Sequence, residues 1–468
     1  MEKVVIKQSL PLFTSETEVK QIPLDRSDYE ARIAMLRERM ARDGIDIALF
    51  YGDREHFSNI EYFSSYDCRF EESIFAIPAQ GVPTLLVGNE GMGYSYQVPY
   101  EIKRVYYRNF SLQGQPRRAE ERLDDIFREM GIGADTRVGM IGYKYFLPEY
   151  CTGDPKYTFD EPNYVMEALY TVASRENVTN YTAVLTGLDD GIRLRVHSAK
   201  EIAAAEAAAA RSTNGLLRML KQLRPGVAEY EVSANAHLGA APVSMFTLVN
   251  FGGEHVSLGL RSPSDVSRLQ LGEVCGLCYG VRGSLSSRVG VAAYNEATMQ
   301  DALKSSVFDF YGRFFQAMCR WYGQLRVGAN GNDLHHAVHD LIGAPEYGVT
   351  LNCGHYTGMD EWTNALSYDG STHVLPDGAY MQADIIASNP NPVRTAICED
   401  PVIIAGEALR SQLKAEYPEV WARIQARRDV MIRHLGIELS EDVLPLSNIN
   451  AAMFPFMLNT NLVFALEK

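Results

Sequence analysis

Positive charge is in short supply in this sequence. Its 44 lysines and arginines stand against 59 aspartates and glutamates, a formal net charge of −15. A phosphate backbone is repelled by such a chain, so nucleic acid is not an expected partner. Long hydrophobic runs are also missing. No stretch approaches the ~18 uncharged apolar residues of a membrane-spanning helix, and no membrane partner is expected. The first twenty residues carry Glu2, Lys3 and Lys7 and have no apolar core, which argues against a signal peptide. Cysteine is sparse and unpatterned: seven residues, at positions 68, 151, 275, 278, 319, 353 and 398. An odd, scattered set in a long chain excludes a disulfide framework and leads us to expect reduced thiols and a cytoplasmic location. Apart from an alanine-rich segment at 203–210, there is no low-complexity tract, and no internal repeat.

What is present is ordinary globular material, 46% apolar and 22% charged. The 468 residues are too many for one core, so at least two domains are expected. In residues 29–43, Ile33, Leu36 and Met40 recur at helical spacing, and Gly44 ends the pattern before an apolar strand at 45–51. Residues 73–78 and 84–87 read as a hairpin. A helix at 118–130 and a strand at 137–141 complete an α/β pattern over the first third. The Tyr-, Pro- and Asp-rich stretch 151–175 is expected to be a linker or crossing arm. Ser198 followed by Glu201 forms a capping-box signature ahead of a long helix that stops at Pro225-Gly226. A second helix is expected at 229–237. Strands follow at 245–251, 273–281 and 284–291, helices at 299–325 and 332–342, strands at 378–387 and 398–405, and a last helix at 407–435.

Several segments in this order resemble the pita-bread superfamily of creatinase, Xaa-Pro peptidases and methionine aminopeptidase. YEARIAMLRERMARDGIDIALFYGDREHFSNIEYFSSYD (29–67) is similar to the entrance of the N-terminal domain shared by creatinase and the Xaa-Pro enzymes. HSAKEIAAAEAAAARS (197–212), LRPGVAEYEV (223–232), LQLGEVCGLCYG (269–280), GHYTGMDEW (354–362), LPDGAYMQADI (375–385) and ICEDPVIIAG (397–406) resemble successive pieces of the pita-bread domain. The resemblance implies an α/β fold, with a creatinase-like domain at 1–185, a pita-bread domain at 186–410 and a C-terminal helix and extension at 411–468. It also implies a homodimer.

Peptidases of this superfamily place two metal ions on Asp, Asp, His, Glu and Glu, hard ligands around a bridging water. Carried over by position, the first Asp falls on Cys278 and the second on Leu285. The histidine is His355, the first Glu falls on Asp384 and the last is Glu399, while a second family histidine falls on Trp362. With both aspartates replaced, the resemblance implies no dinuclear centre and no required cofactor. Any metal would be a single divalent ion on Cys278, His355, Asp384 and Glu399. Creatinase, which works without metal, uses a histidine on the preceding loop; here His255 stands four residues before that position, Gly259.

The resemblance therefore implies His355, Glu399, Asp384 and His255 as catalytic residues, and Arg288, Arg69, Phe70 and Trp362 as substrate-binding residues. The expected activity is hydrolysis of an amide or guanidino C–N bond in a small polar molecule. Two alternatives stay open: an inactive homologue that binds a peptide or metabolite, and an Xaa-Pro dipeptidase or aminopeptidase with an atypical metal site. A competing structural role for Asp384 is as the ion-pair partner of Arg394 or another arginine. Cys275 and Cys278 form a lone CxxC whose members, three apart on a strand, should face opposite sides. His335, His336 and His339 include a metal-compatible i,i+4 pair, but without the intervening Glu of a zincin they are expected to form a solvated helix face.

Overall fold

The computed structural model describes residues 3–237 and 242–467. The chain divides into two compact units, one of residues 24–193 and one of residues 1–23 with 194–468.

In the first unit, Asp25 caps the helix Arg26–Asp43, accepting from the Ser27 N–H at 2.9 Å, while Asp28 accepts from the Asp25 N–H at 2.7 Å. Ile33, Leu36 and Met40 form its buried stripe, and Gly44 ends it at φ 72°. A six-stranded mixed sheet runs in the order Lys103–Tyr106, Thr84–Val87, Ser73–Pro78, Ile47–Gly52, Val138–Ile141, Val178–Asn180. The 73–78 and 84–87 strands pair antiparallel, as their turn residues require. The stretch 151–175 is not a linker. It contains the helix Asn163–Tyr170, whose Val165, Met166 and Leu169 pack into the same core as Leu49, Met140 and Phe127. The unit accordingly ends at Arg193, eight residues past the expected boundary at 185.

The second unit takes in both chain ends. Lys3–Gln8 pairs antiparallel with Leu462–Glu467. Val443–Pro445 joins Pro401–Ile404 in a sheet, so residues 411–468 are part of this unit's core and not an extension of it. Two sheets organise it. One has the order Ala387–Pro390, Val393–Glu399, Ser284–Val291, Val274–Val281, Val243–Phe251; the other His355–Tyr356, Ala379–Gln382, Pro401–Ile404, Val443–Pro445. The helix Ala199–Leu220 starts at Ser198, whose Oγ accepts from the Glu201 N–H at 3.2 Å. It lies so close to the hairpin that a Cβ on Gly215 would sit 2.3 Å from the Tyr279 ring.

Several expected elements are broken in two. The helix after 229 is only Glu229–Ser233, and the region 299–325 becomes a π-helical turn, Val307–Gly312, leading into Arg313–Gln324. Pro418 divides the last helix into Glu407–Glu416 and Pro418–Arg433, because a proline cannot continue the hydrogen-bond ladder. The strands expected at 378–387 and 398–405 each break where the chain passes from one sheet to the other, at residues 383–386 and at Asp400. These two crossings carry Asp384 and Glu399. Among the described residues, no helix is long and apolar enough to cross a membrane.

Candidate active site

His355 is placed by its neighbour. Gly354 has φ 80°, and a Cβ there would lie 2.3 Å from the Trp321 ring, so only glycine fits. Its N–H donates to the Asp384 carbonyl at 2.7 Å, and His355 stands opposite Gln382 in the next strand. The imidazole is fully buried. Nδ1 donates to the Tyr356 carbonyl at 3.1 Å, and Trp362 stacks on the ring at 4.1 Å between centroids and 18° between planes. Trp362, expected against substrate, thus holds the histidine.

The free edge of the ring faces three carboxylates. Nε2 lies 3.2 Å from Glu361 Oε1, 3.8 Å from Asp384 Oδ2 and 3.9 Å from Glu399 Oε1. Nε2 and the Asp384 Oδ1 are buried, and neither has a partner in hydrogen-bonding geometry. Burial opposes charge on the imidazole, but the carboxylates of Glu361, Glu399 and Asp384 outweigh it and push its pKa up to about 10. Burial, and then the charge of Glu399, raises Asp384 well above the ordinary range. Burial likewise raises Glu399 against the opposing attraction of the His355 imidazole. Four ionisable groups sharing one largely buried site make it the strongest functional candidate among the described residues.

Glu361 escaped the sequence reading. It sits one residue before the Trp362 that occupies a family histidine position, and only its closeness to His355 reveals it. Asp384 is not paired with Arg394 here, since that guanidinium lies over the Phe310 ring at 4.9 Å and Asp384 faces His355. Cys278 belongs to the same face. In the sheet register it stands opposite Ser287, which stands opposite Glu399, so the three form one cross-strand row. Leu285 lies opposite Gly280 instead. After burial, the charges of Glu399, Glu361 and Asp384 are what raise the Cys278 thiol. Cys275 is raised by burial and by Glu273, as expected of a residue facing the other side.

Other expected residues lie elsewhere. Arg288 is buried, and its guanidinium is consumed internally. Nη2 pairs with Asp400 at 2.7 Å, Nε donates to the Ala452 carbonyl at 2.9 Å, and Nη1 to the carbonyls of Ser287 and Glu399 at 2.7 and 3.2 Å. It anchors the strand that carries Glu399 and has no donor left for a substrate carboxylate. His255 joins a second cluster, with Nδ1 3.2 Å from Glu229 Oε1 and 3.1 Å from Ser267 Oγ. Buried Glu229 also accepts from Arg261 at 2.7 Å and from the Phe251 and Ser264 N–H groups at 2.8 Å. That cluster ties down a loop. Arg69 and Phe70 belong to the first unit. Asp67 takes the Arg69 guanidinium, and Phe70 is 62% exposed beside it, on a surface pocket that Tyr66, Glu71 and Tyr94 help to line. On the 331–342 helix, His335 and His339 stack at 3.9 Å, while His336 pairs with Asp340 at 3.1 Å.

Comparison with known proteins sets this geometry in context. Residues 203–385 match the model of metallopeptidase family M24. No curated protein sequence matches the chain. Among solved structures it is similar to an Xaa-Pro dipeptidase from Bacillus anthracis, with 18% identity, 81% of this chain and 96% of that one covered, and a TM-score of 0.60. It is also similar to an X-Pro aminopeptidase from Thermotoga maritima (16%, 80% and 95%, 0.61) and to a prolidase from Thermococcus sibiricus (15%, 90% and 97%, 0.63). The chain has the pita-bread fold. Within that fold the metal question turns on the donors present. His355, Glu361 and Glu399 each offer a ligand atom, all within 4.8 Å of one another, which fits one ion. Among the described residues no other group of three such donors gathers in this way.

Proposed function

We propose that this chain is a hydrolase of a C–N bond, amide or guanidino, in a small polar or dipeptide-like substrate, working around a single cation-binding centre. The observation that supports this most is the convergence of His355 Nε2 with the carboxylates of Glu361, Asp384 and Glu399. Burial opposes ionisation of Asp384 and Glu399, and a cation among the three carboxylates would compensate the charge that burial disfavours. The Xaa-Pro peptidase fold supports the hydrolase class and the dipeptide-like substrate.

His355, Glu361 and Glu399 would hold one divalent ion, which when bound supplies a Lewis acid and lowers the pKa of its water. The chain's own residues account for the rest. Nδ1 of His355 is committed to the Tyr356 carbonyl and the ring is clamped by Trp362, so Nε2 is the atom it would offer to the ion. Asp384, outside that donor group and 3.8 Å from Nε2, is the carboxylate left to take up a proton. Asp384 and Glu399 orient the reacting group and stabilise positive charge on a guanidinium or ammonium.

The test is turnover of Xaa-Pro dipeptides and of guanidino compounds by the wild type and by Glu399→Gln, with metal content measured on both proteins. We expect Glu399→Gln to lose about 10²-fold or more in kcat while keeping its fold. Unchanged kinetics would reject the assignment. A second reading, ligand recognition without turnover, is favoured by the absence of carboxylates at Cys278 and Leu285, where the resemblance implies aspartates. It predicts calorimetric binding of the same compounds with no product formed.

A further inference from the structure

We propose that Gln382 is a specificity-determining residue of the His355 centre, and that its Oε1 accepts an N–H of the substrate at the C–N bond to be cleaved. A nitrogen that carries a hydrogen is then taken in preference to a fully substituted one, such as the peptide nitrogen of an Xaa-Pro bond. The proposal rests on the reading of this centre as a C–N hydrolase and adds which nitrogen it accepts.

Gln382 stands directly opposite His355 in the sheet, so the two side chains project from one face. It is fully buried, at the end of the strand Ala379–Gln382. Glutamine is mostly an exposed residue, and an apolar side chain would fill the same place without the cost of burying an amide. Nε2 donates to the Leu285 carbonyl at 2.7 Å. A carbonyl can only accept, so this bond fixes which end of the amide is nitrogen and which is oxygen. The amide also bears on the catalytic carboxylates: burial raises Glu399, and Gln382 is among the groups that oppose the rise.

The nitrogen of the amide is thus tied to the hairpin, and the oxygen is left over. Oε1 is buried and has no hydrogen-bond partner among the described residues. Two other atoms of the centre, His355 Nε2 and Asp384 Oδ1, are in the same condition. An amide oxygen accepts and never donates, so its partner has to bring a hydrogen. A substrate N–H brings one. A methylated nitrogen does not, and it leaves the acceptor buried and unpaired, which is how a site built for an N–H rejects the analogue that lacks it.

The test compares glycylglycine with glycylsarcosine, which differ by one methyl on the peptide nitrogen, and adds guanidinoacetate, all on the purified full-length chain. Affinity is read by calorimetry, and kcat/KM wherever product forms. We expect the wild type to favour glycylglycine by roughly tenfold or more. Gln382→Met keeps the length of the side chain and removes the acceptor. It should lose roughly tenfold on glycylglycine and guanidinoacetate, change little on glycylsarcosine, and hold as much metal as the wild type. A wild type that treats the two dipeptides alike overturns the assignment without recourse to any variant, and leaves the hydrolase reading standing. Loss of metal from a folded Gln382→Met also overturns it, by making Oε1 a ligand of the ion. If guanidinoacetate alone is bound, unchanged affinity in Gln382→Met overturns it. A wild type that binds none of the three compounds overturns both readings.

Discussion

Arg288 and Asp400 form an ion pair at 2.7 Å with neither side chain more than 1% exposed. Asp400 directly follows Glu399, and Arg288 also donates to the Glu399 carbonyl, so the pair fixes the backbone from which the Glu399 carboxylate projects. Removing one partner strands the other charge in the interior. Arg288→Met and Asp400→Asn should each destabilise the unit by roughly 3–5 kcal/mol in denaturant unfolding. The double variant should lose clearly less than the two single losses added together, since no orphaned charge remains. Additive losses would mean that the two residues act independently.

The imidazole of His355 is held in its charged form by carboxylates, of which Glu361 is the nearest at 3.2 Å. Glu361→Gln removes that support, so the His355 midpoint, followed by NMR of the ring protons in metal-free protein, should fall from about 10 toward neutrality. The stability effect has a definite sign. A histidine whose folded pKa is raised contributes fully below its unfolded value near 6.5, and the contribution is lost as pH rises toward 10. Glu361→Gln should therefore flatten the decline in stability between pH 7 and 10. A midpoint that does not move would show that Asp384 and Glu399 hold the charge alone.

Glycine punctuation and apolar runs are local signals, and they disclosed much of the order of elements; His355, Asp384 and Glu399 were implied by the family resemblance, and the structure brings the three together. The sequence could not disclose Glu361, whose neighbour Trp362 occupies the position that drew attention and whose role exists only through its distance to His355. Arg288 was misread for a related reason. A buried arginine and a substrate-binding arginine look alike in one dimension, and the carbonyls that consume this one come from residues as distant as Ala452. His255 shows the same limit, since its partner Glu229 lies 26 residues earlier on another element. Leu285, the expected second-aspartate position, lies opposite Gly280, while Ser287 lies opposite Cys278, a pairing that only the sheet register gives.

Glu161 in the first unit offers a test that is independent of the site. Its carboxylate is buried, and neither oxygen has a hydrogen-bond partner among the described residues. Burial, and then the charge of Asp160, pushes its pKa up to about 8. Asp160 lies beside it, accepting from the Tyr143 and Lys144 N–H groups at 2.9 and 3.1 Å. The folded chain therefore keeps a proton that the unfolded chain releases near pH 4.5. The neutral carboxyl is tolerated at low pH. As pH rises from about 4.5 to 8, the unfolded state gains by ionising while the folded state does not, and stability falls by a few kcal/mol at most, about 1.4 for each unit of pKa difference. Glu161→Gln keeps the shape and cannot ionise, so its stability should exceed that of the wild type above pH 8, with the difference shrinking toward zero near pH 4.5. Chemical denaturation across that range, followed by a probe within residues 24–193, gives the comparison. A constant difference at every pH would show that Glu161 is already ionised in the folded chain and that a cation or a rearranged neighbour compensates it.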